Sequence, residues 1–351
     1  MNKNAALRLL AAFTSILMIT GGIYLVRSHI GANPDYATGS PGAEVIVDVP
    51  EGATGSAIAK ILVTKGVVKS YGAFYSVAVT DSHSSNIAPG SHRINQHIPA
   101  KEALVQLLDT KRITNLIRIP EGAWTDEIFA QLIAQGFTKS ELDQAVRRLR
   151  FPAGFGIDGI YPEGYTGLEG VFFPAQYSFA RGTSALTVLQ TMMDRFGVEA
   201  INSGISAGSG SFSPKQLLTI ASLVQAEGDP SDFGKISQVI RNRLTIGMQL
   251  QLDTTVHYIT RTRGQVFLST DATHIASPYN TYLHYGLPPG PIDNPGRAAM
   301  DAALHPVSGN WIYFITVKPG DTRFTDSNGE FLTWKTEYEK NLAAGAFGKK
   351  S

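Results

Sequence analysis

The sequence predicts an α+β chain in three parts: a single N-terminal transmembrane helix, a small α+β module, and a larger mixed α+β domain. Three observations predict it. An uncharged apolar run, "LLAAFTSILMITGGIYLV" (Leu9 to Val26), has about the length needed to span a bilayer. A strand–turn–helix word occurs twice, from Val47 and again from Ile117. Beyond the second copy, stretches of helical period and of strict alternation are mixed.

The apolar run follows Lys3 and Arg8 and precedes Arg27. The charge bias favours a cytoplasmic N-terminus and a body on the external face of the membrane, and Arg27 weakens it. A cleaved signal peptide and a buried helix are the other readings. The run is long for a signal sequence and no small-x-small cleavage pattern follows, so a retained anchor over residues 1–27 leads. Residues 28–42 are rich in Gly, Pro, Ser and Asn and read as a flexible linker.

In the repeat, Val49-Pro50-Glu51-Gly52-Ala53 matches Ile119-Pro120-Glu121-Gly122-Ala123. Ile58, Leu62 and Gly66 match Ile128, Leu132 and Gly136 without a gap. Each copy reads as a strand, a Pro-Glu-Gly turn and an amphipathic helix closed by glycine. Two such βα units are expected in one α+β body. The glutamates of the turns are read as structural, since a carboxylate suits a turn before a helix N-terminus. Between the copies, a short strand and a helix over Lys101–Asp109 complete a β-α-α-β-like module over residues 43–113. Residues 114–345 form the larger domain, with the Gly/Ser-rich stretch Asn202–Ser213 as a boundary loop and residues 346–351 as a disordered tail.

Composition excludes several function classes. Of 351 residues, 43% are apolar and 17% charged, enough for a sizeable core. The net charge of +1 gives no basic patch for nucleic acid. The absence of cysteine removes disulfides, thiol catalysis and Cys-ligated metals. The eight histidines are scattered without metal-binding spacing, and no phosphate loop, dinucleotide fingerprint or nucleophile elbow occurs, so no metal or cofactor is expected.

"LTIASLVQAEGDP" (Leu218 to Pro230) carries the sharpest signal. Ser213, Pro214 and Gln216 begin a helix with a capping box, and Gly228 and Pro230 end it, Gly228 as a left-handed stop. Leu217, Ile220, Leu223 and Val224 form an apolar stripe. Glu227 lies seven residues after Ile220 and falls inside that stripe, whereas Gln225 points to the polar side. Aliphatic surroundings and the negative end of the helix both favour the protonated acid, as a general acid requires. The alternative is a carboxylate turned outward or paired with Arg241 or Arg243 of the next helix, read from Ser231 to Ile246.

"MQLQLD" alternates strictly, with Gln249, Gln251 and Asp253 on one face of a predicted edge strand. Those groups suit sugar hydroxyls and acetamido groups; a plain half-exposed strand is the other reading. "SPYNTYLHYGLPPGPIDNPG" (Ser277 to Gly296) is a stiff loop. Tyr279, Asn280 and Tyr282 make either a stacking, hydrogen-bonding wall or part of a structural cross-over. "YPEGYTGLEGVFFPAQYSF" holds Glu163 and Glu169, either of which is a candidate second carboxylate.

Together "LEGVFFPAQYSF", "ASLVQAEG", "VIRNRLTIGMQLQLDTTVHY" and "SPYNTYLHYGLPPGPIDNPGRAAMDAALHP" resemble the YceG-like endolytic murein transglycosylases. The resemblance covers most of the chain beyond the anchor. It implies one membrane anchor, a LysM-like module near residues 43–113, and a catalytic acid at Glu227. Gln225 stands where relatives carry another acid. It implies lytic cleavage of peptidoglycan glycan strands by Glu227. Glu169, Gln249, Gln251, Asp253, Tyr279, Asn280 and Tyr282 are read from their residue types and placement as the substrate contacts. Peptidoglycan synthases are implied as partners, and the cytoplasmic membrane as the location. Ala175 replaces an aspartate, and Arg323 a histidine, of the family pattern. A non-catalytic glycan-binding scaffold and a true hydrolase, with Asp253 or Glu169 as second carboxylate, are the alternatives.

Overall fold

The structure, a computed structural model, describes residues 33–155, 166–263 and 271–347. The predicted anchor, Glu163 and the last four residues lie outside the described residues. No helix among the described residues is long and apolar enough to cross a membrane. The chain divides into two compact units. The first runs to Leu116 and takes in Ser178–Gly182; the second comprises Ile117–Tyr177 and the chain from Thr183 onward.

The first unit is a three-stranded antiparallel sheet covered by helices. Its order is β1 (Glu44–Val49), α1 (Gly55–Thr64), α2 (Tyr71–Thr80), β2 (Gly90–Asn95), α3 (Ala100–Leu108) and β3 (Ile113–Thr114), with β2 central. "EVIVDV" alternates, so Val47 and Val49 turn into the core, where Ile58, Leu62, Phe74, Ile94, Leu104 and Leu107 meet them. Thr54 and Ser70 cap α1 and α2 by accepting from Ala57 and Ala73 backbone N–H groups. The helix expected over Lys101–Asp109 is present as α3, and α2 and β3 add to the predicted elements.

The second unit is mainly helical. β4 (Ile117–Arg118) pairs with β5 (Gln176–Tyr177). Around them lie α4 (Thr125–Ala134), α5 (Lys139–Val146), α6 (Ala185–Ser203), α7 (Pro214–Glu227), α8 (Phe233–Thr245), α9 (Asp253–Thr260) and α10 (Arg297–Leu304). A hairpin of β6 (Tyr313–Lys318) and β7 (Asp321–Thr325) then leads into α11 (Asn328–Ala343). Helix α7 is central. Every residue from Leu217 to Val224 is buried, with α8, α9 and α10 against it. Deleting one of its large aliphatic side chains costs about 2–5 kcal/mol.

Four expectations change. The two repeat copies fall in different units, not one body, and the second copy's strand is two residues long. Their turns still agree, with Gly52 at φ +68° and Gly122 at φ +75°. The Asn202–Ser213 stretch is no boundary between units; it begins at the end of α6 and leads into α7 within the second unit. Residues 248–252 are not a strand. Burial alternates through Leu250 and Leu252, but Gln251 has φ 46°, which no ladder accepts, and Asp253 opens α9. Gly228 is extended (φ −157°, ψ −178°), not left-handed. Its role is close approach, since a Cβ there would lie 2.3 Å from Cδ1 of Ile236, which is fully buried.

Candidate active site

Helix α7 begins as its sequence predicts. Ser213 accepts from the Gln216 N–H, and the Gln216 side chain accepts from the Ser213 N–H at 2.9 Å. The fourteen-residue run that follows carries Glu227 to the last turn. Glu227 is half-buried. Thr254, in the first turn of α9, donates its hydroxyl to Glu227 Oε1. The carboxyl therefore lies at the C-terminus of its own helix and the N-terminus of another, so the two helix ends act on it in opposite senses.

Burial pushes the Glu227 carboxyl up to about 7. Thr254 opposes the shift by hydrogen bonding, neighbouring Asp253 adds to it by repulsion, and Arg243 opposes it by attraction. An acid poised there exchanges its proton readily at neutral pH.

Neither arginine forms an ion pair with Glu227 among the described residues. Arg241 donates to the Ala303 carbonyl. Arg243, 7% exposed, donates Nε to the Ile312 carbonyl at 2.6 Å and Nη1 to the Leu250 carbonyl. It acts on Glu227 through space and fastens the segment ahead of β6 to the segment ahead of α9.

Glu227 opens into a cavity of about 510 Å³. One side carries Arg243, Gln251, Asp253 and Tyr282. The rest of the lining comes from β6 (Tyr313, Phe314, Ile315, Thr316), α11 (Phe331, Lys335, Tyr338) and Phe347 beyond it. The Tyr282 hydroxyl donates to Asp253 Oδ1. The Phe347 ring meets Tyr338 at 5.4 Å, within the stretch expected as tail.

Of the residues singled out by sequence, Glu227, Gln251, Asp253 and Tyr282 meet in this groove, and four do not line it. Gln249 is half-buried outside it. Asn280 is fully buried, its amide donating to the Thr273 and Ile275 carbonyls at 3.0 and 2.8 Å. Its Oδ1 accepts from the Tyr282 N–H, so it sets the position of Tyr282. Tyr279 packs against Tyr258, ring centroids 5.2 Å apart. Glu169 is buried at 3% exposure and accepts from Thr125 N–H and Oγ1 at 3.0 Å and from Asn294 Nδ2 at 3.3 Å. Burial pushes Glu169 up to about 8, against the pull of Thr125 and Arg261. Gln225, expected on the polar side, accepts from the Gly296 N–H at 2.9 Å.

Sequence reasoning missed Thr254 and the lining from β6 and α11. The spacing of Phe331, Lys335 and Tyr338 is a helical stripe, but only the fold brings that stripe to the cavity of Glu227. Arg323 and Ala175, the departures from the family pattern, lie outside the groove lining. Arg323 pairs with Asp321 and Glu337, each at 2.8 Å, and the Ala175 carbonyl accepts from the Ile119 N–H.

A half-buried acid poised near neutrality in an aromatic-walled groove of an α+β domain is the arrangement of an enzyme that works by acid–base proton transfer. The chain belongs to the YceG-like family, whose family model matches residues 47–337. It is 33% identical over 312 residues to an endolytic murein transglycosylase of Bacillus subtilis (strain 168), covering 84% of each chain. It is 28% identical over 328 residues to an endolytic murein transglycosylase of Streptococcus pneumoniae serotype 2, covering 85% of this chain and 58% of that relative. A crystal structure of a yceG-like protein from Listeria monocytogenes superposes with a TM-score of 0.55 at 26% identity, covering 83% of this chain and 99% of that one.

Proposed function

We propose that this chain is an endolytic peptidoglycan lytic transglycosylase with Glu227 as its acid and base. The observation that carries the reading is the Glu227 carboxyl in the groove, poised at about 7. Glu227 protonates the glycosidic oxygen as it leaves C1 of N-acetylmuramic acid. The acetamido group of the same sugar stabilises the cation. The Glu227 carboxylate then takes the proton of the C6 hydroxyl as that oxygen bonds to C1. The product carries a 1,6-anhydro end, and no water is consumed. Asp253 favours the protonated state needed first; Thr254 and Arg243 favour the carboxylate needed second. Gln251, Asp253 and Tyr282 contact the sugars, while Asn280 and Tyr279 act through the loop that carries Tyr282.

A true muramidase is the second reading, favoured by one observation: Asp253 lines the same groove as Glu227 and stands ready as the second carboxylate of a hydrolase. Masses of the products from purified peptidoglycan separate the two. Transglycosylation gives ends one water lighter than hydrolysis, and Glu227→Gln should abolish their release. Reducing ends from the wild type, or anhydro ends from the variant, would sink the reading.

The remaining organisation follows the same proposal. Residues 1–27 anchor the chain with its N-terminus cytoplasmic and its body external, and the domain from residue 114, Phe347 of the groove included, cuts nascent strands beside peptidoglycan synthases. Residues 43–113 act as a LysM-like glycan-binding module. Support for that module's role is a cavity of about 380 Å³ in the first unit, lined by Ser56, Tyr75, Ser84 and Ser85 among others. Hydroxyls beside an exposed aromatic ring suit sugars.

A further inference from the structure

The cavity wall made by α11 carries a charge that the proton-transfer steps do not use. Phe331, Lys335 and Tyr338 are spaced i, i+4 and i+7, so they form one stripe, and all three line the cavity. The orientation of that stripe is fixed from the hairpin. Arg323 of β7 holds Glu337 through two hydrogen bonds at 2.8 and 3.0 Å, and Thr325 holds Glu330 at 2.5 Å. Those two acids of α11 are therefore drawn to the hairpin, and Lys335 is left on the cavity.

Two cations line the cavity, Arg243 and Lys335. Arg243 is committed to the carbonyls of Ile312 and Leu250. Lys335 is exposed and forms no ion pair among the described residues. The N-acetylated rings of the glycan are neutral and give an ammonium nothing to neutralise. The anionic groups of peptidoglycan hang from the lactyl ether of its muramic acid: the carboxylates of the peptide arm or, where no arm is attached, the lactyl carboxylate itself. We propose that Lys335, on the stripe with Phe331 and Tyr338, is a subsite for a peptide-arm carboxylate, and that the groove prefers strands whose arms keep their carboxylates. This rests on the peptidoglycan reading above.

The test is calorimetric binding to the full chain carrying Glu227→Gln, so that no turnover intervenes. The probes are a soluble tetrasaccharide of the glycan with its peptide arms and the same molecule with the arm carboxylates converted to amides. The carboxylate-bearing probe should bind about fivefold more tightly, the scale of one charge-assisted contact at a partly screened site. Adding Lys335→Ala should bring the ratio close to one, and Lys335→Arg should keep it. A preference that survives Lys335→Ala, or equal binding of both probes to the parent, overturns the subsite alone. Absence of binding by either probe overturns the subsite and the peptidoglycan reading together.

Discussion

Thr254 donates its hydroxyl to Oε1 of Glu227 from the first turn of α9. One carboxyl oxygen is thereby engaged, and the transferable proton is left to Oε2. Thr254 is thus a positioning residue for the acid. Thr254→Ala removes a donor that favours the carboxylate, so Glu227 should hold its proton to higher pH. On the proposed mechanism cleavage needs the protonated acid first, so the wild-type rate should fall as pH rises through about 7. In Thr254→Ala the falling limb should move upward, and Thr254→Ser should restore it. A pH–rate profile with an unmoved limb would remove Thr254 from the proton-transfer machinery.

Arg243 joins the two segments that flank the groove, so its loss should be felt in stability and in the acid together. Arg243→Met leaves the Leu250 and Ile312 carbonyls without their donor. Each buried unpaired carbonyl costs about 1–3 kcal/mol, so a loss of about 2 kcal/mol or more is expected. Thermal melting should show it as a fall of about 5 °C or more. Removing the positive charge also raises Glu227 further, in the same direction as Thr254→Ala. A variant that melts like the wild type would mean that water replaces the guanidinium at both carbonyls.

The position of Glu227 at the end of α7 was legible in the sequence because it is a local matter. Ser213, Pro214 and Gln216 fix where α7 starts, and helical geometry then fixes the face on which Glu227 lies. The edge strand was misread because alternation records burial, not pairing. Leu250 and Leu252 are buried, yet the Gln251 and Leu252 N–H groups go to the Thr281 carbonyl and Oγ1 at 3.1 and 3.0 Å, not to a strand. Asn280 was read as a sugar contact because an amide in a stiff loop invites that reading. Its partners, the Thr273 and Ile275 carbonyls, are only a few residues away, but their approach depends on the loop's fold. The lining from α11 was illegible for a different reason: Lys335 reaches the cavity of Glu227 through tertiary packing that no local pattern records.

Glu169 answers a last question, what a buried acid outside the groove does to stability. It accepts from Thr125 and Asn294, joining α4 to the loop before α10. Its folded-state value of about 8 stands above the model-compound value of 4.5. Between these values the folded chain holds a proton that the unfolded chain has lost. The contribution is therefore fully present below about 4.5 and is lost as pH rises toward 8. Asp293, also buried and raised well above its ordinary range, with Glu169 adding to the shift, pushes in the same direction. Glu169→Gln cannot titrate, so its urea-unfolding free energy should fall less steeply between pH 5 and 8 than the wild type's, a span set by these values. Equal slopes in the two proteins would show that Glu169 is ionised in the folded chain, held by Thr125 and Arg261 against its burial.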